Sequence, residues 1–233
     1  MTGALRPVYG GSVGVGQVWA QGFAIDPLGR FVFTANQHPG FYSLVSSLHI
    51  DQMTGALTSG SASVLSALPS QCCDVNLQTI VDPLGRFLFV ATNVGFFVYT
   101  IDGTTGALTL ASSIPFFPPV GYSSQQPMAV DRSGKYLYVG PTGNTAGNYI
   151  DAYQIDQTTG ALSPVPGSPF PADQGGVATS IVIDPLGQFV YVTNEQFFPS
   201  TYPSVSAYKL ISSERSPKSR EAPLPLPARA TRT

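Results

Sequence analysis

Short apolar runs recur along the first 210 positions in a fixed order, each set off by turn residues. The strongest are Phe31-Val32-Phe33, Phe87-Leu88-Phe89-Val90, Tyr136-Leu137-Tyr138-Val139 and Phe189-Val190-Tyr191-Val192. Runs this short, apolar throughout and rich in aromatic and β-branched side chains, predict strands covered on both faces. A shorter apolar stretch, such as Phe23-Ala24-Ile25, precedes each. An alternating stretch follows each, with Leu48/Ile50, Tyr99/Ile101, Tyr153/Ile155 and Tyr208/Leu210 as its apolar positions. Between them stand His49, Thr100, Gln154 and Lys209, which a half-buried strand would turn to solvent. A small, polar stretch such as Ala161-Leu162-Ser163 then predicts an edge strand.

The turns between these elements repeat in phase. Asp26-Pro27-Leu28-Gly29 returns as Asp82-Pro83-Leu84-Gly85, Asp131-Arg132-Ser133-Gly134 and Asp184-Pro185-Leu186-Gly187. Pro presets φ, Gly accepts positive φ, and Asp can accept from the backbone ahead of it. A second phrase, Thr-Gly-Ala-Leu, begins at Thr2, Thr54, Thr105 and Thr159. Four strands per unit of about 50 residues predict an all-β fold, a β-propeller of four-stranded antiparallel blades. A β-sandwich has no reason to repeat one turn four times in phase.

The phase divides the chain. Residues 1–22 read as the outer strand of a preceding blade and a linker. Blades follow at 23–76, 77–126 and 127–179, the start of a fourth at 180–210, and an aberrant tail at 211–233. After Leu210 a Thr-Gly-Ala-Leu phrase is due and Ile211-Ser212-Ser213-Glu214 stands there. A one-base shift can be written that restores the missing phrase, so a frameshifted tail is one expectation. A Pro-rich, basic, disordered tail is the other. Because Met1 aligns with the internal Met53, a truncated or misassigned start is expected, and the chain is expected to be a gene fragment as one alternative.

Charge changes the picture of function. Only 10% of the 233 residues are charged and the formal net charge is −2. No basic patch exists to replace counterions on phosphate, which argues against a nucleic-acid partner. No apolar run approaches the roughly 18 residues of a membrane helix, so no membrane span is expected. Residues 211–233 carry Arg215, Lys218, Arg220, Arg229 and Arg232, so five of the eleven Lys and Arg residues lie outside the repeats. Surfaces rich in Ser, Thr and Gly favour an exported or cell-surface protein. Adjacent Cys72 and Cys73 leave the compartment open.

The Asp-Pro-x-Gly-(Arg/Lys/Gln)-aromatic phrase, Tyr191-Val192-Thr193-Asn194, Thr-Gly-Ala-Leu and Ser168-Pro169-Phe170 resemble the lactonase-type seven-bladed β-propeller family. That family includes 6-phosphogluconolactonase-like and YVTN-repeat proteins. The resemblance covers residues 1 to about 210 and implies seven blades, of which this chain holds about four. It also implies sugar-lactone hydrolysis. The Gly-Pro-Arg-His phrase of those lactonases meets Gly176-Val177-Ala178-Thr179-Ser180 here, with neither Arg nor His, and this argues against phosphogluconolactone as substrate.

Few residues remain for chemistry. Asp26, Asp82, Asp131 and Asp184, and likewise Asp51, Asp102 and Asp156, recur at equivalent turns and read as turn-formers. Glu195 is the sole Glu before the tail and follows Tyr-Val-Thr-Asn, where blade one has Gln37 and blade two Val94. It is the candidate general base, with His38 as a second catalytic candidate in the Asn36-Gln37-His38-Pro39-Gly40 loop. Asn36, Asn93 and Asn194 are candidate ligand contacts. No spacing of His, Cys and carboxylates suits a metal, and neither a metal nor a cofactor is expected. The expected function is a non-catalytic scaffold for a small carbohydrate or lactone ligand, or for a protein partner. The alternative is a sugar-lactone hydrolase using Glu195 and His38.

Overall fold

The protein is represented by a computed structural model that describes residues 4–8, 12–14, 19–37, 43–65, 78–92, 95–115, 126–140, 149–171, 177–195 and 204–211. Among them there is no helix, and four antiparallel sheets follow one another along the chain. Blade 1 is β1 (Trp19–Ile25), β2 (Phe31–Gln37), β3 (Ser43–Ile50) and β4 (Leu57–Leu65). Blade 2 is β5 (Gln78–Val81), β6 (Phe87–Thr92), β7 (Gly95–Ile101) and β8 (Leu108–Pro115). Blade 3 is β9 (Met128–Val130), β10 (Tyr136–Val139), β11 (Tyr149–Ile155) and β12 (Leu162–Pro164), with the short β13 (Phe170–Pro171) also on β11. Blade 4 is β14 (Val177–Ile183), β15 (Phe189–Glu195) and β16 (Ser204–Lys209). Each sheet is an up-and-down meander in sequence order, and together they form a β-propeller arc.

The core lies between blades. Phe31, Phe33, Ala35 and Val45 on the forward face of blade 1 bury against Leu88, Val90, Phe97 and Tyr99 of blade 2. Phe87, Phe89, Phe96 and Val98 do the same against Leu137 and Val139 of blade 3. Ala129 and Ile150 of blade 3 meet Ala178, Ile181, Val190 and Val192 of blade 4. Continuous apolar runs are therefore required: one set of alternate side chains serves the blade behind, the other the blade ahead.

Register also moves several expectations. β1 begins at Trp19, ahead of the Phe23 boundary, through a bulge between Ala20 and Gly22; β14 repeats this between Ala178 and Ser180. Residues 4–8 and 12–14, within the stretch read as a preceding outer strand, are in no strand. β7 is buried on both faces except at Thr100, because blades 1 and 3 enclose it. His49 does not simply face water: its ring stands edge-on to Phe31 at 5.1 Å and 71°. β15 is covered on one face alone, since no blade follows it among the described residues.

The recurring aspartates shape the turns. Asp26 is buried and accepts from Phe31 N at 2.9 Å, from Arg30 N, and from the Arg30 guanidinium at 3.0 Å. Burial opposes its ionisation most, but the hydrogen bonds from Phe31 and Arg30, with the Arg30 charge, outweigh it and hold the carboxyl below its usual range. Asp82 repeats the arrangement with Phe87 N at 2.8 Å and Arg86 at 3.0 Å. The arginines then cross to the next blade: Arg30 Nη1 donates to Gly103 O at 2.6 Å and Arg86 Nη2 to Gln157 Oε1 at 3.0 Å.

Candidate functional site

The two ends of the blades differ in chemistry. One end carries the tight turns, that is, the Asp-x-x-Gly turn between first and second strands and the Asp-x-Thr/Met-Thr-Gly turn between third and fourth. There Asp51, Asp102 and Asp156 accept from the hydroxyl and backbone of Thr54, Thr105 and Thr159 at 2.7–2.9 Å. These bonds hold all three carboxyls below their usual range. Arg30, Arg86, Arg132 and Lys135 lie at this end too, and Arg132 reaches Pro185 O of blade 4 at 3.2 Å. The seven acids and four cations are the framework of the arc.

The opposite end carries the loops between second and third strands and the connections between blades. Asn36 and Asn194 occupy equivalent positions near the ends of β2 and β15, and both are buried. Asn36 Nδ2 donates to Thr34 Oγ1 at 3.0 Å. Asn194 Nδ2 donates to Ser206 Oγ at 2.9 Å and Ser204 Oγ at 3.2 Å, while its buried Oδ1 meets no donor among the described residues. The blade 2 counterpart is Thr92, whose hydroxyl exchanges hydrogen bonds with the Gly95 backbone at 3.0 and 3.1 Å. Counting from Phe87 and Phe189, the residue equivalent to Glu195 is Asn93, not Val94. Glu195 closes the β14–β15 ladder opposite Val177, beside Asn194. His38 and Asn93, like Cys72 and Cys73, lie outside the described residues.

One residue at this end escaped the sequence reading. Gln126 is 1% exposed, and among the described residues neither of its amide atoms has a hydrogen-bond partner. It precedes Pro127, whose carbonyl accepts from Gly140 N at 2.8 Å. Gly140 is tight as well: a Cβ there would stand 2.7 Å from the Pro127 ring and 3.2 Å from Ala178. Ala178 in turn pairs with Asn194. Gln126, Pro127, Gly140, Ala178 and Asn194 thus form one neighbourhood at the loop end of the boundary between blades 3 and 4. No repeat phrase marks Gln126, so only packing could have found it.

A buried amide without partners costs about 1–3 kcal/mol. Here the unpartnered atoms offer one donor and two acceptors, a neutral set suited to hydroxyl and carbonyl oxygens rather than to phosphate. Among the described residues no group of three or more His, Cys, Asp or Glu is placed to hold a metal.

No family model matches the chain, and no curated protein does. Solved structures do. The periplasmic gluconolactonase PpgL of Pseudomonas aeruginosa aligns at TM-score 0.56 and 18% identity, over 76% of this chain and 50% of that one. A candidate 6-phosphogluconolactonase of Bacteroides fragilis aligns at 0.56 and 14%, over 88% and 60%. A second, from Bacteroides uniformis, aligns at 0.55 and 16%, over 74% and 46%. The chain spans about half the length of these structures. At such identities the likeness establishes the β-propeller fold and leaves the chemistry to the residues present.

Proposed function

We propose that this chain is a lactonase-like propeller scaffold that binds a small, neutral carbohydrate or lactone at its loop end without turning it over. One observation carries the reading: buried, neutral amide groups of Gln126 and Asn194 share one neighbourhood there, while Arg30, Arg86, Arg132 and Lys135 are at the opposite end. Hydroxyl groups of a sugar can both accept from and donate to such amides, offsetting their desolvation. A phosphorylated ligand would want guanidinium or ammonium groups beside it.

The test is titration calorimetry with glucono-δ-lactone, a neutral hexose and 6-phosphogluconate, on the full chain and on Gln126→Leu. Binding of a neutral ligand that weakens at least tenfold in the variant, with no gain from phosphate, is the expected result. No neutral binding, or phosphate-dependent binding, overturns it. A second reading, sugar-lactone hydrolysis, is favoured by the place of Glu195 next to Asn194 in the ladder. Turnover of glucono-δ-lactone that disappears in Glu195→Gln would put that reading first.

A further inference from the structure

Asp151 is the one aspartate among the described residues that forms no turn. It lies inside β11, opposite Val139 of β10. Strand alternation puts Tyr149, Asp151 and Tyr153 on one face of β11 and Ile150 and Ala152 on the other. Ile150 packs with blade 4, whereas Leu137, Val139, Tyr153 and Ile155 pack with Phe89, Phe96 and Val98 of blade 2. The Tyr-Asp-Tyr face therefore looks into the boundary between blades 2 and 3.

This boundary is open at a level where its neighbours are closed. Counted back from Ile101, Ile155 and Leu210, the counterparts of Asp151 in blades 2 and 4 are Phe97 and Ser206. Those two are 4% and 9% exposed. Asp151 is half-buried, and Tyr149 beside it is 41% exposed. Across the boundary stands Phe96 of β7, whose ring meets Tyr153 edge-on at 6.1 Å and 70°. Ile114, opposite Phe96 in the β7–β8 ladder and half-buried, continues that wall.

The set is one carboxylate among aromatic and aliphatic side chains. Burial disfavours its negative charge, and a positive charge held against it offsets that cost. The hydroxyl beside it stays neutral: burial first, then the charge of Asp151, push Tyr153 up to about 12. Asp151 has a partner within the fold as well, and a carboxylate with about four acceptor sites can serve a second. Aromatic rings attract a cation through their faces. A primary ammonium or a guanidinium carries several N–H donors, each wanting an oxygen. An alkylated ammonium wants only a counter-charge and surfaces against its methyl groups, which is what these residues offer.

We infer that Asp151, with Tyr149, Tyr153 and Phe96, binds an alkylated ammonium group, such as a trimethylammonium headgroup, between blades 2 and 3. Asp151 supplies the counter-charge. Tyr153 and Phe96 form the inner wall, and Tyr149 is the exposed side against which the methyl groups pack. The carboxylate and rings on this face of β11 differ in chemistry from the neutral amides of Gln126 and Asn194, and neither proposal depends on the other.

Titration calorimetry of the full chain with choline chloride, at ionic strength held constant with sodium chloride, tests this. Saturable one-to-one binding is expected, and the uncharged tert-butyl analogue of choline should bind about tenfold more weakly. Asp151→Asn should weaken choline binding about tenfold. Tyr149→Ala, at an exposed position, should weaken it too, while Tyr149→Phe keeps it, because the ring and not the hydroxyl makes the contact. Far-UV circular dichroism checks that each variant is folded; should Asp151→Asn fail to fold, the contrast between Tyr149→Ala and Tyr149→Phe decides. Choline that does not bind, equal binding of the uncharged analogue, or an affinity that survives either Asp151→Asn or Tyr149→Ala overturns the inference. So does methyl glucoside that binds in place of choline and is lost in Asp151→Asn, since the carboxylate would then serve a sugar.

Discussion

Arg86 on the first turn of blade 2 binds Asp82 within its own turn and Gln157 on the outer turn of blade 3, both through Nη2 at 3.0 Å. One guanidinium therefore neutralises a buried carboxylate and locks a blade boundary. Its ring-side face also lies 5.1 Å over Phe87, whose ring abuts Gly160 of the same outer turn. Arg30, Asp26, Phe31 and Gly106 repeat the arrangement between blades 1 and 2, with Gly103 O as the acceptor.

Removing Arg86 should leave Asp82 buried and uncompensated. Arg86→Ala is expected to cost about 2 kcal/mol, less than a fully buried pair would because the guanidinium is one-third exposed. Gln157→Ala should cost about 1 kcal/mol. Urea denaturation of both singles and the double variant measures the coupling, and strict additivity would show that the two side chains act separately.

The turn glycines should divide into two classes. Gly106 and Gly160 have φ of +66° and +73° and no room for a Cβ beside Phe31 and Phe87, so Ala there adds strain to overpacking, about 2–4 kcal/mol. Gly29 and Gly187 have φ of +67° with nothing within 4 Å, so Ala costs about 1 kcal/mol. Equal losses at all four positions in thermal melts would contradict the interblade contact.

Acid should loosen the turns together. Asp26, Asp51, Asp102, Asp156 and Asp184 all titrate below their usual range in the folded chain. For Asp184 the chief cause is the Phe189 N–H, which donates at 2.6 Å. A depressed folded pKa gives stability that is present above the unfolded value, about 3.9, and is lost as pH falls through the folded one. The melting temperature should be level near neutrality and fall steadily below about pH 4. Asp26→Asn should be less stable at pH 7 and show a shallower fall. A profile flat to pH 2.5 would refute this.

Gln126 should trade stability against binding. Gln126→Met keeps the volume and removes two buried polar atoms without partners, so the ligand-free protein is expected to gain about 1–2 kcal/mol. A lower melting temperature in the variant would mean that the amide already has a structural partner.

Much of the fold was legible in the residues. Phe31, Phe87, Tyr136 and Phe189 each follow a turn Asp by five positions, and such regularity specifies strands, turns and blade phase through local rules: fixed φ at Pro, positive φ at Gly, acceptors at Asp. Asn36 and Asn194 could be singled out because they end matching strands. The deficit of charge was legible too, since blades buried between blades have little surface to charge.

Tertiary structure decided the rest. That Arg30 and Arg86 span blades, that β7 is buried on both faces, and that His49 stands against Phe31 all depend on which blade lies beside which. Gln126 joins Asn194 only through Pro127, Gly140 and Ala178, residues far apart in sequence. The physical reason is the range of the forces. Turn chemistry acts over four or five residues and is written in one phrase, whereas burial and the satisfaction of polar groups depend on neighbours about 50 residues away, which no single phrase records.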